Sequence, residues 1–355
     1  MLKMLSTHQR SILGSITCFV VVYFIANKYS KLYDDNDDVE LKDIVVSSYS
    51  VPMCNSQGKC GENPSHPSPR TTFSTTSVEQ QLTWFKVHEN LIKAAQNYNS
   101  VITLKTGTRR KFIFIGDSIT ESFIGTSYGE STAPRLHGVS QVFNKFCNKN
   151  NINPLVLAIS GDQTQHLLYR LAHGEMTLSM KKASDITFVL HIGTNNIGAG
   201  FLPHDVALGI ITVANYILKE TKGKLIIISM LPRGDGEVKL VKLCPPRCSA
   251  NGDPYVSFLP ALLKVNSLIK NWFDETSSLP SIHDKTRVQL IVNMWDLFLD
   301  HPSLTPSSSS SEKVIGPLVE DMTDTSEVDI DLMPDKLHPN AEGHSLFLNE
   351  LSKYI

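Results

Sequence analysis

The amino-acid sequence predicts an α/β fold of three layers, in which a doubly wound, parallel, five-stranded sheet lies between two layers of helices. Five short apolar runs predict the strands, because continuous runs of this kind are typical of strands buried on both faces. Segments with helical periodicity lie between the runs, for example "DVALGIITVANYILKET" at 205–221, and this alternation indicates crossover helices. The five runs are "KFIFIG" (111–116), "PLVLAIS" (154–160), "ITFVLHIG" (186–193), "KLIIISML" (224–231) and "VQLIVNMW" (288–295).

The N-terminal region predicts a membrane anchor. Residues 12–26 are apolar and free of charge, and Lys3 and Arg10 precede them. A cleaved signal peptide would place small residues before its cleavage point, but Phe24 stands where one is expected. We therefore predict an uncleaved transmembrane signal anchor over 11–27, whose shortness suits a thin membrane of the early secretory pathway.

This anchor predicts a single-pass type II membrane protein with a short cytoplasmic tail (1–10) and a body in the lumen of the endoplasmic reticulum or Golgi. Secretion after signal cleavage is the alternative. Residues 28–77 are rich in Asp, Ser, Thr and Pro and predict a flexible stem. The folded domain is predicted over 78–355, and it opens with a helix at 79–98. A Ser-rich insertion around 302–330 is predicted to be disordered, with a mobile lid as the alternative.

Charge and cysteine content exclude some functions. The chain has 33 basic and 35 acidic residues, a net charge of -2 and no local Lys/Arg block, so no nucleic-acid partner is expected. Two close cysteine pairs, Cys54 with Cys60 and Cys244 with Cys248, predict two small disulfide loops if the body is lumenal. A zinc site is the weaker interpretation because no histidine cluster stands near either pair, so we predict no metal.

Polar, glycine-containing turns follow the first three predicted strands. The turns are "GDS" at 116–118, "SGD" at 160–162 and "GTNN" at 193–196. In an open parallel sheet the ligand crevice lies beyond the carboxyl ends of the strands, so the three turns are expected at one edge. Near the C-terminus Asp335 stands three residues before His338, a spacing that keeps their side chains within reach of each other.

These residue types predict acyl transfer. Ser118 would be the nucleophile, His338 its general base, and Asp335 the group that orients the imidazole and stabilises its protonated form. The backbone N–H groups of Ser118 and Gly161 and the side-chain amide of Asn195 would form the oxyanion hole. Glycine at 161 would also let substrate approach the backbone closely.

Asp117, Gly193 and Asn196 flank these positions and are assigned supporting roles. Each motif taken alone also fits an ordinary turn or helix cap. Those simpler interpretations do not predict that four such motifs occur in this chain order at one edge of the sheet.

The same motifs resemble a known family. "GDSI" at 116–119, Gly161, "GTNN" at 193–196 and "DKLHP" at 335–339 resemble the four blocks of the SGNH, or GDSL-type, hydrolases. Within that superfamily, "SGDQTQHLLYRLAHGEM", "HIGTNN" and "MLPRGDG" look most like the catalytic subunits of platelet-activating-factor acetylhydrolase Ib. The resemblance covers roughly residues 110–355. It implies a flavodoxin-like SGNH hydrolase fold, the site roles given above, no metal or organic cofactor, and a homodimer.

The resulting functional prediction is a membrane-anchored serine esterase. It would hydrolyse a short acyl ester, with acetyl the expected group, on a glycan, a lipid or another small molecule, through a Ser-His-Asp triad and an acyl-enzyme. Long segments around the site have no counterpart in a compact member of the family, so platelet-activating factor is not carried over as the substrate. The alternatives are an O-acyltransferase that uses the same triad and a non-catalytic binding module on the same fold.

Overall fold

The computed structural model describes most of the predicted folded domain. The described residues are 62–70, 77–103, 109–131, 134–244, 247–249, 251–276, 285–292, 294–300 and 327–355. The predicted tail, the predicted anchor, Cys54, Cys60 and most of the predicted stem lie outside these ranges, as do residues 302–326 of the predicted insertion. Within the described ranges, no helix combines the length and apolarity that crossing a bilayer requires.

Five strands form one parallel sheet in the order β2-β1-β3-β4-β5. Gly116 at the end of β1 pairs with Ala158 of β2 and with His191 of β3, so these three strands end level with one another. The predicted α/β fold with a five-stranded parallel sheet is confirmed. The strands are β1 (Arg110–Gly116), β2 (Ile152–Ala158), β3 (Ile186–His191), β4 (Lys224–Ile228) and β5 (Val288–Ile291).

Helices cover both faces of the sheet. They are α1 (Val78–Thr103), α2 (Ser118–Glu121), α3 (Val139–Lys149), α4 (Thr164–Arg170), α5 (Leu178–Lys182), α6 (Thr194–Gly198), α7 (Pro203–Glu220), α8 (Glu237–Leu243), α9 (Leu259–Thr276) and α10 (Ala341–Leu351). Helix α3 packs against α10, whereas α7 packs against α4 and α9. Crossovers between parallel strands are right-handed as a rule, so with this strand order the two groups lie on opposite faces, which gives the predicted three layers.

Sequence features explain where the main helices begin. Helix α1 covers the predicted helix at 79–98 and extends it by a few residues at its C-terminal end. Helix α7 begins at Pro203. Proline is favoured at the first helical position because an N–H there would have no intrahelical partner, so its absence costs no hydrogen bond. Helix α10 begins after Asn340, whose side-chain oxygen accepts a 3.0 Å hydrogen bond from the N–H of Gly343.

A short antiparallel pair stands beside the region of the predicted insertion. Strand β6 (Leu299–Asp300) pairs with β7 (Glu327–Val328), and Val328 is buried. Residues 327–330, which were included in the predicted disordered insertion, thus belong to the folded body. The pairing starts with Leu299, an apolar side chain that also becomes buried, and two-residue strands of this kind leave almost no sequence pattern.

Residues 62–70 differ from the prediction of a flexible stem over 28–77. The carbonyl of Pro64 accepts a 2.8 Å hydrogen bond from Thr164 Oγ1, and the N–H of Ser68 donates to the carbonyl of Gln165 at 3.2 Å. The segment, hereafter the N-terminal strap, therefore lies along α4. The composition of the strap predicted no hydrophobic core. The strap is instead fixed by polar contacts, which composition does not reveal.

Candidate active site

Ser118 lies where β1 turns into α2. The side chain of Asp117 caps α2 by accepting a 3.1 Å hydrogen bond from the N–H of Ile119. Gly116 permits the turn because a Cβ at this position would collide with the carbonyl of His191 and the hydroxyl of Thr120. As the first residue of a helix, Ser118 has a backbone N–H without an intrahelical partner. The turn therefore presents both a hydroxyl and a free backbone donor at the edge of the sheet.

The structure brings Ser118, His338 and Asp335 into one chain of hydrogen bonds. Ser118 Oγ lies 2.9 Å from His338 Nε2, and His338 Nδ1 lies 2.7 Å from Asp335 Oδ2. The other oxygen, Asp335 Oδ1, accepts the backbone N–H groups of His338 at 2.7 Å and Leu337 at 3.0 Å. The carboxylate thus fixes both the ring and the backbone of the histidine.

The ionised form of Asp335 is favoured. Partial burial alone would raise its pKa, but hydrogen bonds from the ring and the backbone N–H of His338 outweigh burial and lower the pKa to about 2. The side chain of Asp335 is 47% exposed and that of His338 is 14% exposed. Because Asp335 is near solvent, it acts through its directed hydrogen bonds to His338 rather than as a deeply buried charge.

The two proposed oxyanion residues that follow β2 and β3 also meet at this edge. Gly161 has φ of +80°, a left-handed conformation that glycine adopts readily. Asn195 Nδ2 donates to the carbonyl of Asp162 at 2.9 Å. A side-chain amide carries two N–H groups, so this bond orients the amide of Asn195 and leaves its second N–H available for an oxyanion.

The space beside Gly161 is occupied by protein. A Cβ on Gly161 would collide with the guanidinium of Arg70, from the N-terminal strap, and Arg70 Nη1 donates to the carbonyl of Ser160 at 2.9 Å. The sequence predicted that this glycine lets substrate approach the backbone. The structure instead places an arginine there, because the strap reaches the site from a distant part of the chain.

The three residues assigned supporting roles are all buried at strand ends. Burial raises the pKa of Asp117 to about 7, although the hydrogen bond from Ile119 opposes the shift. Gly193 has φ of +122°, and a side chain there would collide with Ile210 and Met230. Asn196 Oδ1 accepts the N–H of Thr164 at 3.0 Å, which ties α6 to α4.

A fully buried polar network supports the turn after β2. Asp162 accepts a 2.7 Å hydrogen bond from Trp84 Nε1 and a 2.6 Å bond from Arg170 Nε. Arg170 also pairs with Glu175, which in turn lies 2.8 Å from His88 Nδ1. Burial raises the pKa of Glu175, but Arg170 and His88 reverse this effect and hold the carboxylate ionised. The network ties the site to α1 and to the end of α4.

Glu121 organises the loop that follows the nucleophile. It lies one helical turn after Ser118 and is buried. Its Oε2 accepts the N–H of Ser160 at 2.6 Å and that of Tyr128 at 2.9 Å, whereas Oε1 accepts the N–H of Gly129 at 2.8 Å. One carboxylate therefore holds the turn after β2 and the loop at 126–129 in place.

Arg233 holds the turn after β3 in place, as Glu121 holds the turn after β2. Its Nη1 donates to the carbonyl of Thr194 at 2.6 Å, and its Nε and Nη2 both pair with Asp235 at 2.7 Å. The guanidinium also lies over the ring of Phe258, 4.9 Å from its centroid. Arg233 thereby fixes the residue that precedes Asn195.

Two further histidines near the site are buried as neutral side chains. Burial lowers the pKa of His191 to about 4 and that of His344 to about 3. Neither ring nitrogen of His344 has a hydrogen-bond partner among the described residues, and its ring stands edge-on to Phe123. A third, His166, lies 2.9 Å from Glu62 of the N-terminal strap and holds the strap to α4.

Cys244 and Cys248 form a disulfide with a Cα–Cα distance of 4.9 Å. It closes the loop after α8. In the part of the chain that the structure describes, no three His, Cys, Asp or Glu side chains are grouped as metal ligands.

The sequence did not predict the arginines and acids that support the site: Arg70, Glu121, Asp162, Arg170, Glu175 and Arg233. A signal for some of them was present, because "SGDQTQHLLYRLAHGEM" contains Asp162, Arg170 and Glu175, and "MLPRGDG" contains Arg233. Arg70 carried no such signal, since it stands in a segment whose composition resembles a linker.

Comparison with known proteins identifies a family. A sequence profile of the GDSL-like lipase/acylhydrolase family matches residues 114–346, which is more than half of the chain. The matched range contains all five residues of the predicted triad and oxyanion hole. A search of curated proteins gives no match.

Many solved structures are similar to this chain. They include a lipase/acylhydrolase from Enterococcus faecalis, the acetylxylan esterase Axe2 from Geobacillus stearothermophilus and a member of the lipolytic G-D-S-L family from Veillonella parvula DSM 2008. Their sequence identities to this chain are 14%, 15% and 17%, and the TM-scores are 0.39, 0.40 and 0.40. The alignments cover 69%, 70% and 68% of this chain and 95%, 95% and 96% of the respective structures.

Proposed function

The chain belongs to the GDSL-like lipase/acylhydrolase family and is thus a hydrolase of carboxylic esters, and from this premise we propose that it acts through Ser118, His338 and Asp335 on a short acyl ester. The observation that carries the proposal is the hydrogen-bonded path from Ser118 Oγ to His338 and on to Asp335, with distances of 2.9 and 2.7 Å. Family membership agrees with the resemblance found in the sequence motifs.

In the first half of the reaction, Ser118 Oγ attacks the ester carbonyl carbon and His338 Nε2 takes the hydroxyl proton. The carbonyl oxygen becomes an oxyanion that accepts hydrogen bonds from the N–H groups of Ser118 and Gly161 and from the free N–H of Asn195 Nδ2. The intermediate then collapses, the bond to the alcohol oxygen breaks, and His338 gives its proton to the departing alcohol. Asp335 stabilises the imidazolium that exists between these steps.

In the second half, water attacks the acyl group on Ser118. His338 takes one proton from the water, and the same donors stabilise the second oxyanion. When this intermediate collapses, the bond to Ser118 Oγ breaks, His338 returns the proton to the serine, and the free acid leaves. An added alcohol can replace water in this step, which would turn hydrolysis into acyl transfer without any change in the residues used.

The proposal of a short acyl group, with acetyl the expected one, has one structural support besides the sequence resemblance. Arg70 fills the space beside Gly161, and Ser118 is only 4% exposed. A nucleophile that is covered this closely leaves little room for a long acyl chain, whereas an acetyl group is small. The proposed substrates are accordingly acetyl esters carried by a glycan or a lipid.

The test is hydrolysis of p-nitrophenyl esters from acetyl to octanoyl by the full chain in a non-ionic detergent. Ser118→Ala is expected to abolish all but residual turnover, and His338→Ala to do the same. Ser140→Ala, which removes a hydroxyl from α3, is the matched control and should behave like the wild type. Serine-independent turnover, or a preference for octanoyl over acetyl esters, would contradict the proposal. Faster product formation in added methanol would identify acyl transfer.

We also propose that the body is lumenal and anchored by residues 11–27. The disulfide between Cys244 and Cys248 supports this location, because disulfides persist in the oxidising secretory pathway. Protease treatment of sealed microsomes should leave the body intact and remove a tag placed before residue 1. Loss of that tag during biosynthesis would indicate a cleaved signal, and digestion of the body would place it on the cytoplasmic side. The homodimer stays a prediction, which sedimentation of the detergent-solubilised chain tests.

A further inference from the structure

Arg70 lies beside the proposed oxyanion hole, and it has no acidic partner among the described residues. Its Nη1 donates to the carbonyl of Ser160, and its guanidinium lies over the ring of Tyr128, 5.3 Å from the centroid. Its Nε is buried and has no hydrogen-bond partner among the described residues. The contacts of the described residues thus leave donors of this guanidinium unused.

A second arginine, Arg135, is connected by hydrogen bonds to the same turn after β2. Arg135 is half-buried, and it donates from Nη1 to Ser122 Oγ at 3.0 Å and from Nη2 to Ser127 Oγ at 2.7 Å. Ser127 Oγ lies 3.1 Å from Ser160 Oγ, in the residue whose carbonyl accepts from Arg70. The hydroxyls of Ser127 and Ser160 thus connect Arg135 to the residue whose carbonyl binds Arg70, and the oxygens in these hydrogen bonds are neutral.

The acids nearest to these arginines are engaged elsewhere. Glu121 accepts backbone N–H groups and hydroxyls from the turn after β2 and from the loop at 126–129. Asp162 is paired with Arg170, and Asp335 with His338. No ion pair within 4 Å joins Arg70 or Arg135 to an acid in the part of the molecule that the structure describes, although Asp335, Glu121 and Asp117 attract the positive charge of Arg135 from a greater distance.

We propose that Arg70 and Arg135 form a subsite for an anionic group on the alcohol part of the ester substrate. The planar guanidinium matches the oxygens of a carboxylate, sulfate or phosphate, each of which can accept two parallel hydrogen bonds. The inference rests on the proposed function, because an acetyl group has no place for a charge and the anion must then belong to the alcohol. The substrate class is thereby narrowed to acyl esters of acidic sugars or of anionic lipid headgroups.

The experiment compares matched esters on the full chain. The acetyl ester of 4-hydroxybenzoate is anionic, and the acetyl ester of methyl 4-hydroxybenzoate is its neutral counterpart. Acetyl esters of 4-hydroxybenzenesulfonate and of 4-hydroxyphenyl phosphate distinguish the three anions. Each kcat/KM is divided by the rate constant for hydrolysis of the same ester by hydroxide, which corrects for leaving-group reactivity. The corrected kcat/KM of each anionic ester is then divided by that of the neutral ester. This ratio measures how strongly the subsite favours an anion.

For the wild type this ratio should be about tenfold or more for at least one anion, the size expected of a hydrogen bond to a charged group. Arg70→Met and Arg135→Met should each lower the ratio by about tenfold, and Arg70→Lys should retain part of it because the charge remains. Arg110→Met is the control. It removes an exposed arginine at the other end of β1, where Arg110 donates to the carbonyl of Asn150, and it should leave the ratio unchanged.

A wild-type ratio near one for all three anions, or an unchanged ratio in Arg70→Met, would overturn the subsite. Absence of serine-dependent turnover of the neutral ester would instead contradict the proposed function. In that event the subsite is tested by calorimetry, in which 4-hydroxybenzoate should bind the wild type at least about tenfold more tightly than Arg70→Met. Equal binding would overturn it. Thermal unfolding of each variant establishes that the comparison is made between folded proteins.

Discussion

Replacing Arg170 by methionine tests whether the buried network holds the site together. Arg170 is fully buried and is shared by Asp162, at 2.6 Å, and by Glu175. The substitution leaves two carboxylates in the interior, and among the described residues Trp84 and His88 are their remaining side-chain donors. Removing one partner of a buried ion pair costs about 3–5 kcal/mol, so the free energy of unfolding should fall by about that amount.

The measurement is urea-induced unfolding at pH 7, followed by circular dichroism and by tryptophan fluorescence. Lys270→Met is the matched control. It breaks an ion pair with Asp274 in which both side chains are about half exposed, and such pairs contribute about 0–1 kcal/mol. The double substitution of Arg170 by Met and Glu175 by Gln removes one of the stranded charges. It should therefore be less destabilising than the sum of the two single substitutions, by at least about 1 kcal/mol.

If Arg170→Met destabilised the protein no more than Lys270→Met does, the buried network would not hold the site together. Additive effects of the Arg170 and Glu175 substitutions would equally contradict this role of the network, because they would mean that the two side chains do not interact. Turnover provides an independent readout. The carbonyl of Asp162 orients the amide of Asn195 at 2.9 Å, so a displaced Asp162 should lower kcat in the fraction of the protein that stays folded.

The remaining predictions concern single residues. Asn195→Ala should lower kcat about 100- to 1000-fold with little change in KM, because it removes one oxyanion donor; unchanged p-nitrophenyl acetate hydrolysis would exclude the residue from the mechanism. Glu121→Gln should lower the free energy of unfolding by about 1.5–3 kcal/mol, because it removes the charge of a carboxylate that accepts several N–H groups. An unaltered urea midpoint would contradict this. Burial lowers the pKa of His344 to about 3, so the folded state binds fewer protons than the unfolded state below about pH 6.5, and stability falls as the pH drops. His344→Leu should remove about 1.6 kcal/mol of the loss of stability between pH 6.5 and pH 5. Parallel stability curves for the variant and the wild type would show that His344 is not responsible.

The parts of the site that the sequence predicted share one physical property. Ser118, Gly161 and Asn195 each stand within four residues of the end of a buried strand, and parallel strands bring such turns together at one edge. His338 and Asp335 are only three residues apart, so their contact is local. For these residues a short stretch of sequence and the fold class were sufficient to predict their proximity.

The supporting residues could not be predicted in this way because their contacts are long-range. Arg70 meets Ser160 across 90 positions of the chain, and Trp84 meets Asp162 across 78. An isolated arginine in a Pro- and Ser-rich segment is ordinarily solvated, and nothing in its neighbours indicates burial. Only the path of the chain over α4, which depends on specific hydrogen bonds such as that between Thr164 and Pro64, places it at the site.

The arrangement of these supports bears on how the proposed oxyanion hole would work. Asp162 uses its carboxylate to bind Trp84 and Arg170, and it uses its carbonyl to orient Asn195. Arg170 in turn donates to the carbonyl of Gly116, two residues before Ser118, at 3.3 Å. The turns that carry Ser118, Gly161 and Asn195 are therefore linked to one buried set of charges. Because these charges are paired before any substrate binds, the donors need little rearrangement when an oxyanion forms, and donors fixed in advance stabilise a transition state more than donors that must first be ordered.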